Sequence, residues 1–260
     1  MPVGARRMMK HLQSTLETCP LFHNDRVVKM VRLSQQGYCN THYLVKTQKH
    51  RYMMRVFGRD DIDRISEYTL QYAAAQRKIT AKPYCLNLHE GYMLTQVLSG
   101  VHRTKLSRYE LHQLAVVLGK LHTIHRRLKK FNLKKAYLGK ERKIRQALSL
   151  IQRLSKEYVV CHQDLNPKNV FFSRHARVID WEYAGINDRY FDLASVCVEF
   201  MLTPQEERFF LNRYFRYRKK ADYKKLEAYK VVYRAICDVW FEENSLTKGQ
   251  GEEGCVFSTN

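Results

Sequence analysis

The sequence predicts an α+β protein in two lobes, with a joint near Gln96–Gly100. Three observations carry this. Short apolar or β-branched runs, broken by polar residues and glycine, fill residues 27–97. Apolar residues recur at helical spacing after Gly100. No internal repeat or low-complexity segment competes with that division. The expected units are therefore residues 1–97 and 98–260.

Val27–Leu33 reads as the first strand, and Ser34–Asn40 breaks it with a glycine at Gly37. Tyr43–Thr47 and Arg51–Phe57 read as two further strands joined by Gln48-Lys49-His50. Asp60–Lys78 reads as a helix, with Ile62, Ile65, Leu70, Ala73 and Ala74 at helical spacing and Asp60, Asp61 and Asp63 in its first turn. Tyr84–Leu88 and Tyr92–Val97 form a hairpin around Glu90-Gly91. Ser107-Arg-Tyr-Glu110 has the form of a capping box and opens a helix to about Leu128, with Leu111, Leu114, Val117, Leu118 and Leu121 as its apolar stripe. A second helix covers about Lys140–Lys156, and a strand, a loop and a short hairpin occupy Tyr158–Asp180. Thr203-Pro-Gln-Glu206 starts another helix with proline at its first position. The last helix runs from about Tyr223 to Glu243, and the tail from Ser245 is expected to fray.

Composition excludes several classes. No run of about 18 uncharged apolar residues exists, so no membrane-spanning helix is expected. Met1–Lys10 is basic but no long apolar run follows, so no signal peptide is expected. Seven cysteines, none at CxxC spacing, fit buried thiols in a reducing cytoplasm rather than a disulfide framework. With 46 Lys and Arg against 25 Asp and Glu the net charge is +21, a field that attracts anions without naming one. Zinc has potential donors in His122, His125, Cys161 and His162, but His122 is expected to be a buried, hydrogen-bonded histidine.

The informative segment is Cys161-His-Gln-Asp-Leu-Asn-Pro-Lys-Asn-Val170, followed by Val178-Ile-Asp-Trp-Glu-Tyr183. An apolar strand feeds a polar loop holding Asp164 and, five residues later, Asn169; Asp180 follows sixteen residues after Asp164. Phosphoryl transfer requires such a set. Mg²⁺ is a hard cation that takes oxygen ligands from one or two carboxylates and from phosphate. A further carboxylate must face the acceptor hydroxyl and receive its proton.

His162-x-Asp164-x-x-x-x-Asn169 with a downstream Asp180 resembles the catalytic and metal loops of the protein-kinase-like superfamily. His162–Asn169, Ile179-Asp-Trp-Glu-Tyr-Ala-Gly-Ile-Asn-Asp188 and Phe191-Asp-Leu-Ala194 resemble its small-molecule branch, the aminoglycoside phosphotransferase and choline kinase group, and within it the bacterial choline kinases. The resemblance spans about Leu33 to Trp240 and is densest over 161–194. It implies a two-lobed protein-kinase-like fold, with an ATP-binding lobe at 1–97 and a catalytic, acceptor-binding lobe at 98–260. It also implies Asp164 as catalytic base, Asn169 and Asp180 as Mg²⁺ ligands, His162 as a loop support, and Asp192 as the brace of the catalytic loop.

In the first lobe the resemblance makes Ser34–Asn40, with Gly37 and Asn40, a phosphate-covering turn. Arg55 becomes the phosphate-contacting cation, Glu67 its partner, and Gln96–Leu98 the linker touching adenine. A quaternary ammonium is held by aromatic faces beside carboxylates, so Trp181, Glu182 and Tyr183 and the late Trp240 are acceptor-site candidates; Glu199, Tyr190 and Tyr233 are possible additions.

The reaction implied is phosphorylation of choline by MgATP, in the cytoplasm and without nucleic acid. Thiamine, ethanolamine or an aminoglycoside are alternative acceptors on the same fold. A different class is an idle kinase fold that binds a polyanion through Arg213-Tyr-Phe-Arg-Tyr-Arg-Lys-Lys220, where aromatics alternate with cations. Asp164, Asn169 and Asp180 argue against it, because an idle fold has no use for the set.

Overall fold

The structure is a computed structural model that describes residues 12–34, 40–133, 141–217 and 219–248. Five antiparallel strands open the chain: β1 (Val27–Arg32), β2 (Thr41–Thr47), β3 (Arg51–Val56), β4 (Pro83–Asn87) and β5 (Tyr92–Gln96), in the order β1-β2-β3-β5-β4. β2 buries Tyr43, Val45 and Thr47, every second residue, as a sheet packed on one face requires. That face covers Leu16, Phe22, Met54, Tyr92 and Leu94, which form a small core of their own. The other face of β3 carries Arg55 toward α1 (Arg64–Gln76).

α1 starts later than its acidic run suggests. Asp63 is the N-cap, accepting from the Ser66 amide at 3.0 Å, a contact worth about 1 kcal/mol to a helix. Asp61 instead pairs with Arg59 in the preceding loop at 2.6 Å. Leu70, Ala74 and Ile79 then join the larger core, so α1 is shared between the sheet and the helical lobe.

Gly100 marks the crossing to the second lobe. Its φ of +150° belongs to glycine, and a Cβ there would stand 2.7 Å from the Phe172 carbonyl oxygen. Beyond it come α2 (Arg108–Leu121), α3 (Arg142–Arg153), α4 (Arg189–Glu199), α5 (Pro204–Tyr214) and α6 (Tyr223–Lys248). The Ser107–Glu110 and Thr203–Glu206 capping boxes both form. α2 ends at Leu121, short of the expected Leu128, because His122 is drawn into the interior between Tyr214 and Asp192. Thr123 also bonds back to the Lys120 carbonyl at 2.8 Å, closing the last turn. α6 continues to Lys248, past the expected stop at Glu243.

The strands of this lobe are short. β6 (Tyr158–Cys161) pairs with β9 (Gly185–Asp188), and β7 (Val170–Phe171) pairs with β8 (Arg177–Val178). α2 packs on α5, while α3 and α4 pack on α6. At the centre lie Leu114, Leu118, Val160, Phe191, Phe210 and Tyr229, all under 5% exposed. Buried Lys225 fixes the start of α6 by its ion pair with Asp188 at 2.7 Å and its bond to the Ser155 carbonyl at 2.9 Å.

Candidate active site

The loop after β6 carries the first functional group. Asp192, fully buried on the first turn of α4, accepts from the amides of His162 (2.8 Å) and Gln163 (2.9 Å). Nε2 of His122 donates to the same carboxylate at 3.1 Å. Three donors on one carboxylate hold the loop's backbone, including Gln163 at φ +70°, a conformation that costs a non-glycine residue about 1 kcal/mol or more. His162 is buried beneath: its Nε2 donates to the Ile179 carbonyl at 3.0 Å and its ring packs on Trp181. Burial lowers its pKa, in keeping with a neutral support.

Asp164 is thereby aimed into the cleft. Nδ2 of Asn166 donates to its Oδ1 at 2.8 Å, and Nδ2 of Asn169 donates to its Oδ2 at 2.7 Å. Burial pushes its carboxyl pKa up, against the pull of His162 and these two amides. The β7–β8 hairpin then returns the chain, and the Ile179 amide donates to the Asn169 carbonyl at 2.9 Å. Asn169 and Asp180 therefore stand side by side, and Asp180 takes φ +66° as it turns its carboxylate toward the sheet.

There Asp180 meets Arg55. Nη1 of Arg55 donates to Asp180 Oδ1 at 2.5 Å, and Nη2 pairs with Glu67 on α1. Burial pushes the Asp180 carboxyl up to about 7, and Glu182, Asp164 and Glu67 add to the rise while Arg55 opposes it. Among the described residues the Asn169 side chain makes its hydrogen bonds through Nδ2 and Asp180 through Oδ1, so an amide oxygen and a carboxylate oxygen can face a hard cation. Oxygen donors of this type suit Mg²⁺.

The structure corrects two acceptor-site candidates. Trp181 is 1% exposed, with its indole N–H satisfied by Thr80 Oγ1 at 3.0 Å; the large apolar ring has gone to the core. Glu182 is equally enclosed, paired with Arg64 at 3.2 Å and receiving Asn40 Nδ2 at 3.0 Å, so it joins the lobes instead of facing a ligand. Tyr190 is also in the core, its hydroxyl accepting from the Asp222 amide at 2.8 Å.

Trp240 behaves differently. It is half-buried on α6 and its Nε1 donates to the Tyr183 hydroxyl at 3.3 Å. Two turns earlier on α6 stands Tyr233, whose hydroxyl donates to Glu199 at 2.8 Å. Burial raises the Glu199 carboxyl, and Asp164 adds to the rise by repulsion. The sequence gives little sign of this contact, because an acid and a tyrosine thirty-four residues apart form no motif.

Of the nucleotide-side candidates, Asn40 is buried with Oδ1 accepting from the Gly58 amide at 3.4 Å, and Gln96 is exposed at the end of β5. Gly37 lies outside the described residues. Among the described residues His122, Cys161 and Asp192 come together as potential metal donors. Both His122 nitrogens and both Asp192 oxygens are already spent on protein hydrogen bonds, as expected of a structural histidine. In the basic stretch, Arg213 covers Phe209 and Tyr217 and Lys219 covers Phe215, so these rings pack on the chain's own cations; Arg218 lies outside the described residues.

Residues 31–229 match the family model described as the phosphotransferase enzyme family. Among curated proteins, Protein LicA of Haemophilus influenzae is 25% identical over 167 residues, covering 60% of this chain and 62% of the relative. The chain thus spans about three fifths of that relative's length. Among solved structures, choline kinase LicA from Streptococcus pneumoniae is similar with TM-score 0.77 at 24% identity, over 95% of this chain and 94% of that one. A choline/ethanolamine kinase family protein from Mesorhizobium loti gives TM-score 0.72 at 17% identity, over 95% and 89%. A spectinomycin phosphotransferase in complex with ADP and spectinomycin gives TM-score 0.67 at 15% identity, over 93% and 89%. These likenesses establish the two-lobed, protein-kinase-like fold. No helix among the described residues is long and apolar enough to cross a membrane.

Proposed function

The chain belongs to the phosphotransferase enzyme family, and from that premise we propose that it is a small-molecule kinase that moves the γ-phosphate of ATP to the hydroxyl of choline. The observation that carries this reading is Asp164: a buried carboxylate oriented by Asn166 and Asn169, beside Asp180 and Arg55. In this reading residues 1–97 form the nucleotide-binding lobe and 98–260 the catalytic lobe.

Asp164 orients the acceptor hydroxyl and takes its proton as the phosphoryl group departs; its raised pKa makes it a better base than a solvated aspartate. Asn169 and Asp180 would hold Mg²⁺, which when bound neutralises charge on the transferring phosphates. Arg55 leaves Asp180 for the phosphates, with Glu67 keeping its guanidinium in place. In this reading Asn40 would contact the phosphates and Gln96 the adenine. Most of the catalysis is positioning and electrostatics, so no covalent enzyme intermediate is expected.

A cationic acceptor is supported by two pairs, Trp240 with Tyr183 and Tyr233 with Glu199, which between them combine aromatic rings with an acid. Choline is chosen among such acceptors because the relatives include proteins named choline kinase. Ethanolamine and thiamine use the same wall and remain the alternatives.

The test is ADP release from MgATP with choline, ethanolamine, thiamine and kanamycin, beside an Asp164→Ala control. Choline-dependent turnover that disappears in the control is expected. Turnover with another acceptor would replace the substrate, and turnover that survives in the control would remove Asp164 from its role.

A further inference from the structure

Three arginines within ten residues, Arg55, Arg59 and Arg64, reach three residues of the loop after β8: Asp180, Tyr183 and Glu182 respectively. We propose that the outer two contacts form a clamp between the lobes, with Arg59 and Arg64 as positioning residues that hold the closed arrangement both ligands need. The ligands named below rest on the phosphotransferase reading, whereas the clamp's geometry does not.

Arg64 anchors the first contact. Its Nη1 donates to Glu182 Oε2 at 3.2 Å and to Glu67 Oε2 at 2.8 Å, its Nη2 reaches the Arg59 carbonyl at 3.4 Å, and its plane lies 4.2 Å from the Phe57 ring centroid. The two paired side chains are 5% and 4% exposed. A desolvated pair of this kind is held in one geometry, because separating it would strand a buried charge. Asn40, at the start of β2, adds a neutral hydrogen bond to the same Glu182 oxygen at 3.0 Å. The sheet and α1 thus grip one carboxylate, two residues past Asp180.

Arg59 makes the second contact. Asp61 takes Nε at 2.8 Å and Nη2 at 2.6 Å, which fixes the guanidinium plane and leaves Nη1 aimed at the Tyr183 hydroxyl, 3.1 Å away. The fork is preorganised by a residue that touches no ligand. Tyr183 passes the contact on in two directions. Its hydroxyl receives Trp240 from α6, and its carbonyl accepts from Gln163 Nε2 at 2.7 Å, next to Asp164. The first lobe is therefore connected, through one side chain, to the acceptor wall and the catalytic loop together.

A common closed state has a measurable signature. Each ligand's apparent dissociation constant is its intrinsic value divided by the closed fraction. Loosening the clamp must then weaken nucleotide and acceptor by the same factor, although Arg59 is assigned to neither. A defect local to one site would move one constant alone.

The experiment uses Arg59→Met and Tyr183→Phe, since Arg59 is one-third exposed and neither change strands a buried charge. Arg64→Met, with Arg64→Lys as its rescue, is the harsher pair. MgADP and choline affinities are measured by calorimetry, and amide exchange at residues 180–184 is followed in the ligand-free protein. Losing one hydrogen bond of about 1 kcal/mol should raise both dissociation constants by one common factor, of up to about fivefold, in Arg59→Met. The KM values for ATP and acceptor should rise together while kcat changes less, because saturating ligands restore closure. Exchange at 180–184 should speed up in the ligand-free variant and slow again with MgADP. Unchanged MgADP affinity together with unchanged exchange in both variants would overturn the clamp. If wild-type protein fails to bind choline, the acceptor assignment falls, and MgADP affinity and exchange decide the clamp by themselves.

Discussion

Replacing Asp192 by asparagine is the most direct challenge to the way the catalytic loop is held. The carboxylate is fully buried and accepts three hydrogen bonds, at 2.8 Å from the His162 amide, 2.9 Å from the Gln163 amide and 3.1 Å from His122 Nε2. Asparagine is isosteric but has one acceptor oxygen. If that oxygen takes the Oδ2 position, its amide nitrogen faces the Gln163 N–H, and one buried donor is left opposite another donor. An orphaned buried donor costs about 1–3 kcal/mol, and losing the charge-assisted character of the other two bonds adds about 1 kcal/mol. The expected loss is about 3 kcal/mol, a large part of the roughly 5–15 kcal/mol of a typical domain. Urea denaturation would read it as a lower midpoint with an unchanged slope, and a thermal scan as a fall of about 6–12 °C for a chain of this size. Asp192→Ala orphans all three donors and should cost about twice as much. Because Gln163 is directly followed by Asp164, kcat should fall about a hundredfold in folded Asp192→Asn protein, since small misplacements of a base are expensive. A stability change under about 1 kcal/mol, or normal kcat, would show that the loop is held by something other than this carboxylate.

The remaining predictions concern the ligands and pH. Asp180→Ala should abolish Mg²⁺-dependent nucleotide binding, and a normal Mg²⁺ titration of the variant would count against the metal assignment. Trp240→Ala should raise the choline KM about tenfold, the value of a desolvated cation–π contact near 1–2 kcal/mol, and an unaltered KM would move Trp240 out of the acceptor site. Burial, aided by the nearby Arg55, pushes the His42 pKa from 6.5 down to about 4. Its neutral form is thus stabilising: the contribution is complete above pH 6.5 and is lost as pH falls toward 4, where only the unfolded chain takes the proton. Denaturation midpoints of wild type and His42→Gln at pH 7 and pH 5 should converge at the lower pH by about 2 kcal/mol, and parallel pH profiles would refute the shift.

Much of this was legible before the structure. β2 and β3 are short apolar-rich runs joined by a polar turn, the capping boxes at Ser107 and Thr203 are spelled out in four residues each, and the β7–β8 hairpin follows from short apolar runs around Ser173–Ala176. The Asp164, Asn169 and Asp180 spacing was readable because a single hairpin brings them together. What stayed hidden depends on contacts between distant segments. The end of α2 is decided by His122 reaching Tyr214, ninety-two residues away, and helical periodicity through Leu128 contains no trace of that. Among the acids before α1, only the folded loop shows that Asp61 belongs to Arg59 and Asp63 to the helix.

Residues 180–183 show the same limit at the site itself. The family resemblance implies a metal ligand in Asp180 and acceptor-site side chains in Trp181, Glu182 and Tyr183. The left-handed backbone at Asp180 and the turn that follows instead send each of them elsewhere: Asp180 to the cleft, Trp181 to the core beside His162, Glu182 to Arg64 and Tyr183 to Arg59 and Trp240. Side-chain direction in such a turn is set by four backbone dihedrals that no residue type specifies. The partners that make those dihedrals stable lie 118 to 125 residues away, on the other lobe. A kinase must hold its two substrates across a cleft, and this loop is where the two walls meet. Of these four side chains, then, Asp180, Glu182 and Tyr183 each tie the loop to an arginine of the opposite lobe, while Trp181 packs into the core.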